Sequence, residues 1–234
     1  MLLATEDFVR QYLRAPVIIV MLLVIPILFV VLCASALSEL SASLGDEVSG
    51  PAATAIGAGW AASFLGGILG YFQISSSRDA DRRLALAGMG PMRVAVARIG
   101  ACIAIALVVS LVAFFALWIY EGVEYPLRSL GAILASGLIY VGIGAFVGAL
   151  VRDDLTGSLI VALVFVMDIY SGPGMAGAEG TAKATPTRKA SEVLMDAGGG
   201  IGSPTSDWLI VAATVVGFLL IAFVAFWLSA RPRT

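Results

Sequence analysis

Apolar residues run almost unbroken along most of this chain, and the polar ones gather into a few short stretches. Helical runs able to cross a hydrocarbon core, which takes about 20 residues, fall near 17–38, 52–75, 98–120, 129–151 and 208–229. A sixth run, 155–175, is less clean: Asp168 stands inside it, and Ser171-Gly172-Pro173 breaks it after Tyr170. It either spans a thin region or leads into non-helical backbone inside the bundle, and it counts here as the fifth of six spans. The pattern predicts an all-α integral membrane protein, a single transmembrane domain over 1–234 with six transmembrane helices.

Three polar stretches interrupt the apolar ones. In residues 1–16, Thr5 can cap a helix whose first turn holds Glu6 and Asp7 and whose last holds Arg10 and Arg14. Phe8, Val9, Tyr12 and Leu13 share one face of it, so it reads as an interfacial helix with its arginines at lipid phosphates; a plain anchor is the alternative. In 76–97, Ser76 or Ser77 can cap a helix from Arg78 to Ala87 that Gly88 ends, with Asp79 and Arg83 paired one turn apart. Such a helix is too polar for lipid and marginal alone, so it must pack on something through Leu84, Leu86 and Met89. Pro91 then opens the helix that becomes the third span. In the loop 176–207, a helix at about 186–197 is expected, capped by Thr185, opened by Pro186 and ended by Gly198-Gly199-Gly200. Its apolar face is Ala190, Val193, Leu194 and Ala197.

Composition agrees with a membrane setting: 60% of residues are hydrophobic, 13% are charged, and the mean hydropathy is +1.00. Charge then orients the chain. Loops on one side hold Arg10, Arg14, Arg78, Arg82, Arg83, Arg93, Arg98, Arg152, Arg231 and Arg233, ten of the 14 basic residues, and the other side holds Arg128, Lys183, Arg188 and Lys189. The positive-inside rule makes the first side cytoplasmic, so both termini and the 76–97 loop are expected inside a multi-pass protein of the cell membrane. The net charge of −2 carries no signature of a nucleic-acid partner; membrane lipids are the expected surroundings. A cleavable signal peptide ending at Ala34-Ser35-Ala36 is disfavoured by the long acidic-and-basic segment before it and by Pro26.

Several chemistries are removed. The chain has no His and no Asn, which leaves out imidazole ligands, His-based acid–base catalysis and glycosylation sequons. Cys33 and Cys102 fall inside predicted spans without ligand-like spacing, so no metal site and no disulfide framework is expected. No Gly-x-x-x-x-Gly-Lys-Ser/Thr motif is present, so the chain has no phosphate cradle of its own and binds no cofactor. It is not expected to be an enzyme by itself.

Within the spans, Gly66-x-x-x-Gly70 and Gly144-x-x-x-Gly148 allow close helix approach, for packing within one subunit or for contact in a dimer. Asp168 is a candidate intramembrane polar site, or a hydrated residue near the interface. Trp118, Tyr120 and Trp208 at outer ends, with Tyr71 and Trp227 at inner ends, fit aromatic belts.

The run Arg82-Arg83-Leu84-Ala85-Leu86-Ala87-Gly88-Met89-Gly90-Pro91-Met92-Arg93 resembles the cytoplasmic loop of the membrane (permease) subunits of type-2 ABC exporters, with Gly88 and Gly90 added. Arg14-Ala15-Pro16 with Pro26 is similar to that family's first span, and Ser171-Gly172-Pro173 to the break ending its fifth. The long 174–185 stretch departs from it. The resemblance implies that Asp79, Asp81, Arg82, Arg83, Leu84, Leu86, Met89 and Pro91 form a coupling helix docked on a separate cytoplasmic ATP-binding subunit. ATP and Mg would sit on that partner. It further implies pairing with a second copy or a homologous permease, and export of an amphipathic, lipid-like or drug-like substrate. The Arg152-Asp153-Asp154 turn could touch the same ATPase. Two other readings stand beside it: a secondary transporter or channel using Asp168, and a non-transporting membrane interaction protein.

Overall fold

Every regular element among the described residues is a helix. The structure, a computed structural model, describes residues 20, 24–32, 35–36, 39, 49–84, 91–172, 185–200 and 202–229. A helical segment at 24–32 is followed by α1 (Gly50–Ser75), α2 (Arg78–Leu84), α3 (Pro91–Glu121), α4 (Pro126–Leu150), α5 (Asp154–Tyr170), α6 (Arg188–Gly198) and α7 (Thr205–Ser229). Four of these, Gly50–Ser75, Met92–Glu121, Pro126–Leu150 and Thr205–Ser229, are long and apolar enough to cross a membrane. The chain is therefore an all-α, multi-pass membrane protein. Helix α5 has only 17 residues and stops at a turn through Ser171 and Gly172.

Local sequence sets the helix starts. Proline stands in the first turn of α1 and of α4, where a missing N–H costs nothing. Helix α5 starts at Asp153, whose carboxylate accepts from the Thr156 backbone N–H at 2.8 Å and from the Thr156 hydroxyl.

Helix α1 is the centre of the bundle and α7 its rim: 89% of the most apolar stretch of α1 is buried, against 17% for α7. Leu209, Leu220 and Val224 of α7 face outward, as suits a helix surrounded by lipid. The tightest seam joins α1 to α4, and glycine makes it. A β-carbon on Gly66 would lie 2.8 Å from the Gly137 carbonyl oxygen, one on Gly70 2.8 Å from that of Val141, and one on Gly148 2.8 Å from that of Tyr71. At Gly144 the approach is closer still, 2.0 Å from the Gly67 oxygen. All four glycines thus bring backbones of one chain together, the use that small residues have between membrane helices.

Among the described residues the apolar core has three parts. One, around Ala58, Ala62, Val109 and Ile133, lies toward the end where α6 packs; a second, around Ile74, Val94, Val141 and Ala145, lies toward α2; the third, with Tyr140, Val161 and Phe165, seats α5. Phe165 also meets Phe64 at 5.2 Å and Phe29 at 6.1 Å in tilted ring contacts, which ties the 24–32 helix to α1 and α5.

Candidate functional site

Polar side chains converge at two places, one at the α2 end of the bundle and one beneath α6. At the α2 end, the hydroxyls of Ser76 and Ser77 do not cap α2. They donate back to the Phe72 and Gln73 carbonyls at 2.6 Å each, because α1 ends there and leaves those acceptors open. Arg78, the first residue of α2, reaches α4 and donates to the carbonyls of Gly148 and Val151. These are C-terminal carbonyls of a helix, where a cation also meets the negative end of the dipole. Leu84, the last described residue of α2, packs on the Ile74–Val94 cluster, while Arg83 is exposed.

Tyr71 extends this assembly. It is fully buried, its ring lies against Gly157, and its hydroxyl donates to the Asp153 carbonyl at 3.0 Å. The residue read as a belt aromatic therefore joins α1 to the turn before α5, its buried ring leaving the hydroxyl to a main-chain oxygen. Arg152, Asp153 and Asp154 remain exposed in that turn. The Thr156 hydroxyl, and after it the Thr156 N–H, hold the Asp153 carboxyl below its ordinary pKa.

Of the other residues singled out at this end, Asp79, Asp81 and Arg82 lie in α2, where only their helical backbone is described, and Pro91 opens α3. Leu86 and Met89 lie outside the described residues, as do Phe8, Arg10, Tyr12, Leu13 and Arg14 of the expected interfacial helix.

The second site is built on Asp168, in the last turn of α5. It is only 6% exposed, buried among helices and not standing at a hydrated rim. Its Oδ2 accepts from the Tyr140 hydroxyl of α4 at 2.9 Å and from the hydroxyl of Thr187. Its Oδ1 and the buried Thr185 hydroxyl make no bond of ordinary hydrogen-bond geometry among the described residues, although the Thr185 hydroxyl and the Thr187 N–H stand close enough to act on the carboxyl. One carboxylate thus links α4, α5 and the residue preceding α6. Thr187, not Thr185, precedes that helix; its hydroxyl donates to Asp168 and makes no cap within α6.

Helix α6 turns Ala190, Val193, Leu194 and Ala197 inward, onto α1 and α4. Its cations are engaged along its polar side: Arg188 with Glu192 at 2.9 Å, and Lys189 with Glu192 at 2.7 Å and with Asp207 of α7 at 3.6 Å. Burial alone would raise the Glu192 pKa, yet Lys189 and Arg188 hold it below its ordinary value.

No cluster of three or more His, Cys, Asp or Glu gathers among the described residues. A third feature is mostly apolar: a cavity of about 530 Å³ between the 24–32 helix and α3, lined by Val30, Val31, Val112, Phe115 and their neighbours, Tyr120 among them.

Tyr140, Thr187, Tyr71 and Arg78 carry roles that sequence reasoning missed. The available signal was weak: Tyr140 is a lone phenol in the apolar interior of α4, 28 residues from its partner. No family model matches the chain, and no curated protein matches it.

Proposed function

We propose that this chain is the transmembrane subunit of an ATP-driven ABC exporter, powered by a separate cytoplasmic ATP-binding subunit that carries the ATP and Mg. On this reading α5 and the segment that includes residues 24–32 are spans as well, giving six, and the α2 end faces the cytoplasm. The chain pairs with a second copy or a homologous permease in the cell membrane and moves an amphipathic, lipid-like or drug-like substrate. The observation that carries the reading is the mounting of α2. A short charged helix does not persist alone, yet this one is held at Arg78 by the end of α4 and at Leu84 by the core, with Arg83 left outward. That is the arrangement a soluble motor needs in order to push on a bundle. The test is co-expression with an ATPase encoded beside this chain. Co-purification is expected, and Arg83→Glu, at the exposed side chain of α2, should release the ATPase while the membrane subunit stays folded; a chain that transports without any ATPase would overturn the reading.

Asp168 favours a second reading, a secondary transporter or channel, since a buried carboxylate is a candidate proton or cation site. Asp168→Ala would abolish transport on that reading and leave ATP-driven transport in place on the first.

A further inference from the structure

We propose that the cavity between the 24–32 helix and α3 is a seat for one phospholipid acyl chain, entered from the headgroup level beside Tyr120. Helix α3 supplies one wall. Val112, Phe115, Ala116 and Ile119 stand at i, i+3, i+4 and i+7, which is one helix face. Ile27, Val30 and Val31, at i, i+3 and i+4 of the 24–32 helix, make the facing wall. Phe29 of that helix is turned to other neighbours, Phe64 and Phe165, so its aromatic ring does not fill the gap. Val30 is only 1% exposed and forms the floor, whereas Ile27, Phe115 and Ile119 are exposed and form the rim. The groove therefore opens sideways, and because α3 is long and apolar enough to cross a membrane, what lies beside it is hydrocarbon.

Size and polarity select the occupant. An apolar cavity of about 150 Å³ takes one benzene, so one of about 530 Å³ admits on the order of twenty carbons, the size of a single acyl chain. Left empty, both walls would forfeit dispersion contacts that the adjoining hydrocarbon can supply. Tyr120 carries the one polar side chain of the lining, and it stands next to the last residue of α3, at the level where phenols meet lipid headgroups. From Val112 to Tyr120 the wall rises about 12 Å. A groove that is apolar along its length and offers a hydroxyl at its headgroup end matches an ester-linked chain, whose carbonyl oxygen accepts from the phenol. A second copy of the protein fits less well: eight residues line the cavity, where a stable protein interface uses about 20–30 a side. Such a seat requires only a multi-pass membrane setting and is independent of the exporter reading.

The test is native mass spectrometry of the full chain released from nanodiscs of palmitoyl-oleoyl phosphatidylcholine, with enough activation to strip loosely held lipid. One phospholipid per chain should remain. Ala116→Trp puts an indole into the groove and should lower the retained fraction about tenfold or more, and Tyr120→Phe should lower it about fivefold, the equivalent of one hydrogen bond. Ala213→Trp makes the same change at an exposed position of α7 and should retain lipid as the parent does. Retention equal to the parent's in Ala116→Trp or in Tyr120→Phe would overturn the seat, and so would a parent that carries no lipid or an equal loss in Ala213→Trp. Parent dimers that Ala116→Trp splits without any change in lipid count would also overturn it, since the groove would then be a contact between copies. Should Ala116→Trp fail to fold, Val31→Trp on the facing wall decides by the same criteria.

Discussion

The hydroxyl of Tyr71 donates to the main-chain carbonyl of Asp153 at 3.0 Å, joining the end of α1 to a turn 82 residues further along the chain. Tyr71→Phe removes that donor and leaves a buried ring in place, at an expected cost of about 1 kcal/mol. Gly157→Ala should cost more, about 1–3 kcal/mol by overpacking, since its β-carbon would stand 2.2 Å from the Tyr71 ring. Denaturant or thermal unfolding in detergent would rank the two, and the reverse order would count against this packing.

The seam between α1 and α4 should reject the smallest addition. Gly144→Ala places a methyl 2.0 Å from the Gly67 oxygen, a backbone atom that cannot rotate away. A fall in unfolding temperature or loss of folded protein is expected. Gly217→Ala in α7 has nothing within 4 Å of the new carbon and should be neutral or raise stability by about 0.5–1 kcal/mol through helix propensity.

Acid should weaken the start of α5. The Asp153 carboxyl is held below its ordinary pKa by the Thr156 hydroxyl and N–H. A carboxylate depressed in the folded state lends stability above its unfolded pKa of about 3.9 and loses it as pH falls through the depressed folded value. Asp153→Asn should therefore unfold more easily than the parent at neutral pH, and the gap should close below about pH 4. Unfolding curves at both pH values check this; a gap that widens in acid would be the wrong sign.

Arg78 offers a separate measurement. Arg78→Met keeps an apolar stem but leaves the Gly148 and Val151 carbonyls without their charged donor, costing about 1.5–3 kcal/mol locally. Amide exchange should rise across α2 and the last turn of α4 and remain slow in α3. On the exporter reading, ATP hydrolysis by the bound partner would continue while transport falls.

The features set by periodicity were legible from residues alone. The four inward residues of α6 sit at helical spacing in a polar stretch, and the same four are buried. Pro91, read as opening the third span, is the first residue of α3. Hydrogen-bond partners distant in sequence were not legible. Thr185 looked like the helix cap because local rules place one before Pro186, whereas the hydroxyl of Thr187 is drawn to a carboxylate 19 residues earlier. Tyr71 near a span's end looked like a belt residue, and only the fold reveals that Gly157 makes room for its ring. Asp168 was conspicuous as a lone acid in an apolar run, yet nothing near it in sequence pointed to Tyr140.

The absence of any room for a methyl group between Gly144 and Gly67 has a mechanical consequence. Two helices in such intimate register can neither slide past nor roll over one another without colliding main chains, so they form a keel. Whatever shape change this protein undergoes must be made by its planking, with α3, α5, α6 and α7 tilting about a spine that itself stays still.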